Sequence, residues 1–113
     1  MAMDIKELFQ MEIKKITGML SDKYKPSKMI IFGASATGDV TENSDIDMLV
    51  IKDTRENLRE RWMNVCKLAR DFKRHIPFEP IIITPAELKN RLAEGDLFLK
   101  EIIDHGKIVY ERE

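Results

Sequence analysis

A fold of the α/β type, more narrowly α+β, is predicted here: a mixed β-sheet of three to four strands flanked by helices. Three observations predict it. Apolar residues recur at three- and four-residue spacings in two long segments, which is the period of a helix with one buried stripe. Three short apolar runs bounded by turn signals, 28–32, 47–51 and 78–83, read as buried strands. The link between the first two runs, residues 33–46, is too short to read as a crossover helix, so the strands are not expected to run all parallel.

The elements follow in order. Ile5, Leu8, Phe9, Ile13, Ile16 and Leu20 make one stripe on a first helix over residues 4–20. Pro26 stops it by disfavouring helical geometry in the residue before it. Two strands follow, Lys28–Phe32 and Asp47–Ile51. Asp53 with Glu56 three residues on has the pattern of a helix start. After it Leu58, Trp62, Val65, Ala69, Phe72 and Ile76 form a stripe that Pro77 ends. Phe78–Ile83 is the third strand, and its internal Pro80 requires an edge, a bulge or an irregular start. Thr84-Pro85-Ala86-Glu87 opens a helix that Gly95 closes. Asp96 begins another, ending near His105 with Gly106 as its cap. Lys107–Tyr110 is a candidate fourth strand.

At 113 residues the chain fits one domain, 1–113, with no repeat or linker. Its net charge of −1 carries no global attraction for nucleic acid or membranes. The lone Cys66 excludes an internal disulfide and a cysteine-rich zinc framework, which suits a reducing cytoplasm. The first residues have no signal-peptide pattern, and no apolar run approaches the roughly 18 residues needed to span a bilayer.

The chemistry-bearing stretch is 33–47. Gly33 follows the first strand directly and Gly38 lies five residues later, so backbone N–H groups there can approach an anion closely. It is not a P-loop, because Asp39-Val40 stands where that motif needs Lys and then Ser or Thr. Asp45 and Asp47 flank Ile46 at the start of the second strand. Alternation puts both carboxylates on one face, roughly 7 Å apart at the backbone, with Ile46 in the core. Two carboxylates so placed repel each other unless a cation sits between them, and hard oxygen ligands suit Mg²⁺. Glu79 starts the third strand and joins them if that strand lies beside the second. Three acids with two Mg²⁺ ions form the arrangement that handles in-line phosphoryl or nucleotidyl transfer. Glu79 is also placed to take a proton from an attacking hydroxyl.

Gly33-Ala34, ten residues, then Asp45-Ile46-Asp47, then an acid on a later strand resembles the DNA-polymerase-β-type nucleotidyltransferase superfamily, and most closely its minimal nucleotidyltransferase (MNT) domains. The likeness extends from the first helix through Pro77-Phe78-Glu79 to the closing segment 102–111. It implies a polymerase-β-like nucleotidyltransferase fold and an Mg²⁺-dependent transferase. The implied metal ligands and catalytic residues are Asp45, Asp47 and Glu79. The turn would bind nucleotide through Gly33, Ser35, Gly38 and Ser44. The resemblance further implies ATP as donor, AMP as the transferred group, and a hydroxyl of a separate HEPN-domain toxin as acceptor, the chain acting as antitoxin. A second copy of the chain is the other implied partner. Departures from the family pattern set up an alternative. Ala34 replaces the family serine, Ser35 comes one residue late, and Glu79 replaces the commoner Asp and is followed by Pro80. Loss of that hydroxyl weakens nucleotide binding, so the alternative is a binding module that blocks its partner by contact.

The remaining features have plainer readings. Arg55, Arg59, Lys67, Arg70, Lys73 and Arg74 make the central helix basic, the pattern of a solvated face diluted by Glu56, Glu60 and Asp71 rather than of a nucleic-acid site. Cys66 and Trp62 read as packing. Leu97, Phe98, Leu99, Ile102 and Ile103 exceed one stripe, which points to a protein interface or a fuller core.

Overall fold

The computed structural model describes residues 3–71 and 73–112. Helix α1, Ile5–Lys23, starts where Asp4 accepts the Glu7 N–H and ends at Tyr24. It buries Phe9, Ile13, Ile16 and Leu20, the expected stripe. Strand β1, Lys28–Phe32, leads into a one-turn helix α2, Ala34–Thr37, framed by Gly33 and Gly38. Strand β2 is Ile46–Ile51, α3 is Leu58–Leu68 and β3 is Phe78–Ile83. Helices α4, Pro85–Ala93, and α5, Leu97–His105, precede β4, Lys107–Glu111.

The sheet is mixed, in the order β3-β2-β1-β4. β1 runs antiparallel to β2 and β4, while β2 and β3 are parallel, joined through α3. Because β3 is an edge strand, Pro80 forfeits no ladder hydrogen bond on its outer side. Alternation along the strands divides the apolar residues between two layers. Met29, Ile31, Ile46, Met48, Val50 and Ile82 pack under α1 and α3. Ile30, Leu49, Ile51 and Ile83 pack against α5 residues Leu99 and Ile102. Asp47 and Glu79 fall on this second face, Asp47 half-buried and Glu79 exposed.

The structure corrects several expectations. Helix α3 begins four residues later than the Asp53–Glu56 pattern suggests. Asn57 accepts the Glu60 N–H at 2.9 Å and Glu60 accepts the Asn57 N–H at 3.1 Å, completing the box one turn on. Glu56 instead accepts from the Tyr24 and Thr54 hydroxyls and from Asn64. The helix ends at Leu68, short of Ile76, and Phe72 of the expected stripe lies outside the described residues. Trp62 and Leu58 are exposed, because the inward face runs through Arg61, Val65 and Ala69. The buried Arg61 donates to both Glu87 oxygens, at 2.7 and 3.3 Å, and to the Glu56 carbonyl. This clamps α3 to the start of α4. Arg74 is not part of a solvated basic face either: it follows α3 and pairs at 3.2 Å with Glu12, itself buried in α1. Gly106 caps α5 in an extended conformation (φ −70°) rather than a left-handed one. A side chain there would strike Ile30 Cγ2 at 2.5 Å, so space dictates the glycine. On α5, Leu99 and Ile102 are core, while Leu97, Phe98 and Ile103 are exposed.

Candidate active site

Pairing of β2 with β3 brings the acids together. In the parallel register Asp47 lies opposite Glu79 and Ile46 opposite Phe78, with the Ile46 N–H donating to the Pro77 carbonyl at 2.9 Å. Ile46 is fully buried, which forces Asp45 and Asp47 to the other face. On the β1 side, Asp47 lies opposite Phe32. The carboxylate is therefore flanked by an aromatic residue and a second acid. Its pKa is raised above the usual aspartate range by partial burial, then by the charges of Asp45 and Glu79.

The glycine turn closes the site from β1. Gly33 has φ 69° and ψ −151°, a conformation essentially confined to glycine. A Cβ there would stand 2.8 Å from Asp47 Oδ2. Backbone and carboxylate thus share a space that any side chain would fill. The Gly33 carbonyl accepts from the Ala36 and Thr37 N–H groups, and Gly38 (φ 86°) ends the turn of helix. The Ser35 hydroxyl donates to the Phe32 carbonyl at 3.2 Å. The Ser44 hydroxyl accepts from the Thr41 N–H at 2.9 Å, shaping the approach to β2. Both hydroxyls hold the local turn.

The donor set suits Mg²⁺: hard carboxylate oxygens on adjacent strands, with the Asp47 pKa raised by burial and then by its acidic neighbours. Among the described residues no group of three or more His, Cys, Asp or Glu is placed to hold a metal ion together. Magnesium does not need one, since one or two carboxylates with water and substrate phosphates complete its shell. Any ion here would be held chiefly by Asp45 and Asp47, with Glu79 across the register.

Sequence reasoning missed three neighbours of this site. The turn of helix after Gly33 is too short to leave a periodic signal. Phe98 meets Phe32 edge-on, ring centroids 5.7 Å apart, and a cavity of about 320 Å³ beside the pair is bordered by both rings and by Gly33. Cys66 on α3 lies close enough to Glu79 for that charge, second to burial, to push its thiol pKa up, so it is no activated nucleophile.

A mixed four-stranded sheet with acids at the starts of two adjacent strands, and a glycine turn against one of them, defines a protein of the nucleotidyltransferase class. The chain belongs to the polymerase beta nucleotidyltransferase family, whose profile matches residues 14–113. It is 30% identical over 104 residues to a Methanocaldococcus jannaschii protein named "Putative protein adenylyltransferase MJ0141", covering 92% of this chain and 97% of that one. A second protein from the same organism, "Putative protein adenylyltransferase MJ1379", is 31% identical over 87 residues, 77% of this chain and 81% of its own length. The fold also matches a crystal structure titled as a "putative nucleotidyltransferase" from Sulfolobus solfataricus. The TM-score is 0.66 at 20% identity, over 95% of this chain and 84% of that one.

Proposed function

We propose that the chain transfers an adenylyl group from ATP to a hydroxyl of a protein partner, with Asp45 and Asp47 as the principal Mg²⁺ ligands and Glu79 completing the site. The observation that carries this is the Asp47–Glu79 pairing across β2 and β3 with Gly33 against Asp47. When bound, Mg²⁺ supplies charge neutralisation at the triphosphate and at the departing pyrophosphate. The protein does the rest. The turn from Gly33 to Gly38 leaves backbone room for phosphate oxygens. The cavity beside Phe32 and Phe98, bordered by Gly33, receives the nucleoside. Exposed Glu79 accepts the proton of the acceptor hydroxyl as its oxygen bonds to the α-phosphorus and the bond to pyrophosphate breaks. The names of the M. jannaschii relatives support protein as the acceptor class. The acceptor we favour is a HEPN-domain toxin, the transfer making this chain its antitoxin, with a second copy of the chain as the other candidate.

The test is transfer of label from α-labelled ATP to a purified HEPN partner in the presence of Mg²⁺, repeated with Asp45→Asn/Asp47→Asn. Label on the partner that disappears in the variant supports the reading, and label retained by the variant refutes it. A second reading, the contact-only antitoxin, is favoured by Ala34 and by the inward hydrogen bond of Ser35. It predicts partner binding and neutralisation unchanged in the Asn variant.

A further inference from the structure

A groove of about 440 Å³ opens along β3. Ile81 and Ile82 both line it. Their side chains point to opposite faces of the sheet, so the groove wraps the outer edge of the strand. Leu58 of α3 forms one wall and Phe98 of α5 the other. Leu58, Ile81 and Phe98 are all exposed. The charged residues in the wall are already committed, Glu87 to Arg61 and Arg91 to Asp96. The groove is therefore apolar and offers no free charge to a phosphate.

The groove leads to Glu79, which lies two residues from Ile81 on the same face of β3, about 7 Å away. Helix α3 follows the same line. Leu58 borders the groove with Ile81 and Ile83, and Cys66 is close enough to Glu79 to feel its charge. Eight residues of helix span about 12 Å, and the four steps of strand from Glu79 to Ile83 span about 13 Å. Exposed Trp62, one helical turn from each of Leu58 and Cys66, therefore flanks the middle of the strand. The edge also carries unpaired backbone groups. The Pro77 and Ile83 carbonyls accept from Ile46 and Lys52 on the β2 side. Alternation turns the backbone groups of Phe78, Pro80 and Ile82 the other way, and among the described residues none bonds to them. Such an edge is a template for an extended chain.

We propose that an extended segment of the acceptor protein docks here, paired to the outer edge of β3, with an apolar side chain in the groove between Leu58, Ile81 and Phe98. The proposal rests on the transferase reading above, in which Glu79 receives the proton of the acceptor hydroxyl. The unpaired edge calls for an occupant with its own N–H and C=O groups at strand spacing, which is a polypeptide rather than a nucleic acid or a lipid. Continuity with Glu79 makes that polypeptide the acceptor. Phe98 lines both this groove and the cavity beside Gly33, so it stands as the partition between acceptor and nucleoside. Donor and acceptor then reach Asp47 and Glu79 from opposite sides.

The test adds the HEPN-domain protein of the transfer assay to the full chain in EDTA without nucleotide, so that docking is read apart from chemistry. Calorimetry gives the affinity, and hydrogen exchange followed by NMR gives the protected amides. We expect exchange of the Phe78 and Ile82 amides to slow on binding. In Leu58→Ser/Ile81→Thr the Kd for the partner should rise by about tenfold or more, a loss of at least about 1.4 kcal/mol. In the transfer assay the same variant should show a raised KM for the partner with kcat little changed. Both substituted side chains are exposed, and an unchanged melting temperature will certify the fold of the variant. Absence of partner binding, equal affinity in the variant, or protection elsewhere with none at Phe78 and Ile82 would each overturn the proposal. So would protection of these amides that follows the concentration of the chain alone, which makes a second copy the occupant. Label transfer with docking elsewhere refutes this surface and leaves the transferase reading standing, whereas docking here without transfer refutes that reading and keeps the surface.

Discussion

Replacing Gly33 with alanine perturbs two things at once, and the structure allows them to be separated. The first is backbone strain. At φ 69° and ψ −151° an L-residue is held where its Cβ is disfavoured, at a cost of about 1–3 kcal/mol. The second is contact: the new methyl would sit 2.8 Å from Asp47 Oδ2, closer than ordinary van der Waals distance, so the carboxylate must swing away. Gly38 supplies the control. It too has a positive φ, 86°, but a Cβ there meets nothing within 4 Å. Gly38→Ala should therefore show strain alone, about 1–2 kcal/mol for a left-handed position. Gly33→Ala should lose about as much stability or more, and in addition lose Mg²⁺-dependent ATP binding by at least about tenfold, because a metal ligand has been displaced. Urea unfolding gives the first quantity and calorimetric titration the second. If Gly33→Ala binds ATP·Mg²⁺ as tightly as the wild type, the packing of Gly33 against Asp47 is not what shapes the site.

Other consequences concern the scaffold and its charges. Glu12→Ala strands Arg74 in a site where both side chains are about nine-tenths buried, and should cost about 3–5 kcal/mol by urea unfolding. A loss below about 1 kcal/mol would mean that the pair is effectively solvated. Gly18 lies inside α1 with open space where a Cβ would go, so Gly18→Ala should stabilise the chain by about 0.5–1 kcal/mol. Asp47 has its folded pKa raised, so between the unfolded value, about 3.9, and that raised value the native state holds more protons than the unfolded state. Its contribution to stability is then fully present below the unfolded value and is lost as pH rises through the folded one. In EDTA, the melting temperature of Asp47→Asn should gain on that of the wild type over this window, and Mg²⁺ should narrow the gap at neutral pH. A difference independent of pH would remove Asp47 as the group carrying the strain.

The four strands, and helices α1, α4 and α5, were legible in the sequence because each is periodic and punctuated: Thr84-Pro85 and Asp96 open α4 and α5, and Pro26 closes α1. The acid pair was legible as well, since Ile46 between two aspartates can face only inward. What remained hidden depended on tertiary pairing. Two overlapping capping patterns, Asp53–Glu56 and Asn57–Glu60, compete for the start of α3, and Tyr24 decides between them by binding Glu56. The same choice turned Trp62 outward and Arg61 inward. No local signal marks Arg61 as the partner of Glu87, or Phe98 as the partner of Phe32, because each pair joins segments far apart in the chain. The neighbourhood of Glu79 and Asp47 likewise required knowing that β3 pairs parallel with β2.

The most direct measurement is calorimetric titration of ATP into the wild-type chain with and without Mg²⁺, alongside Asp45→Asn/Asp47→Asn. The proposed chemistry predicts binding that appears only with Mg²⁺ and vanishes in the variant. Binding of ATP that is indifferent to Mg²⁺, or that survives both substitutions, would contradict a metal-dependent donor site at these carboxylates.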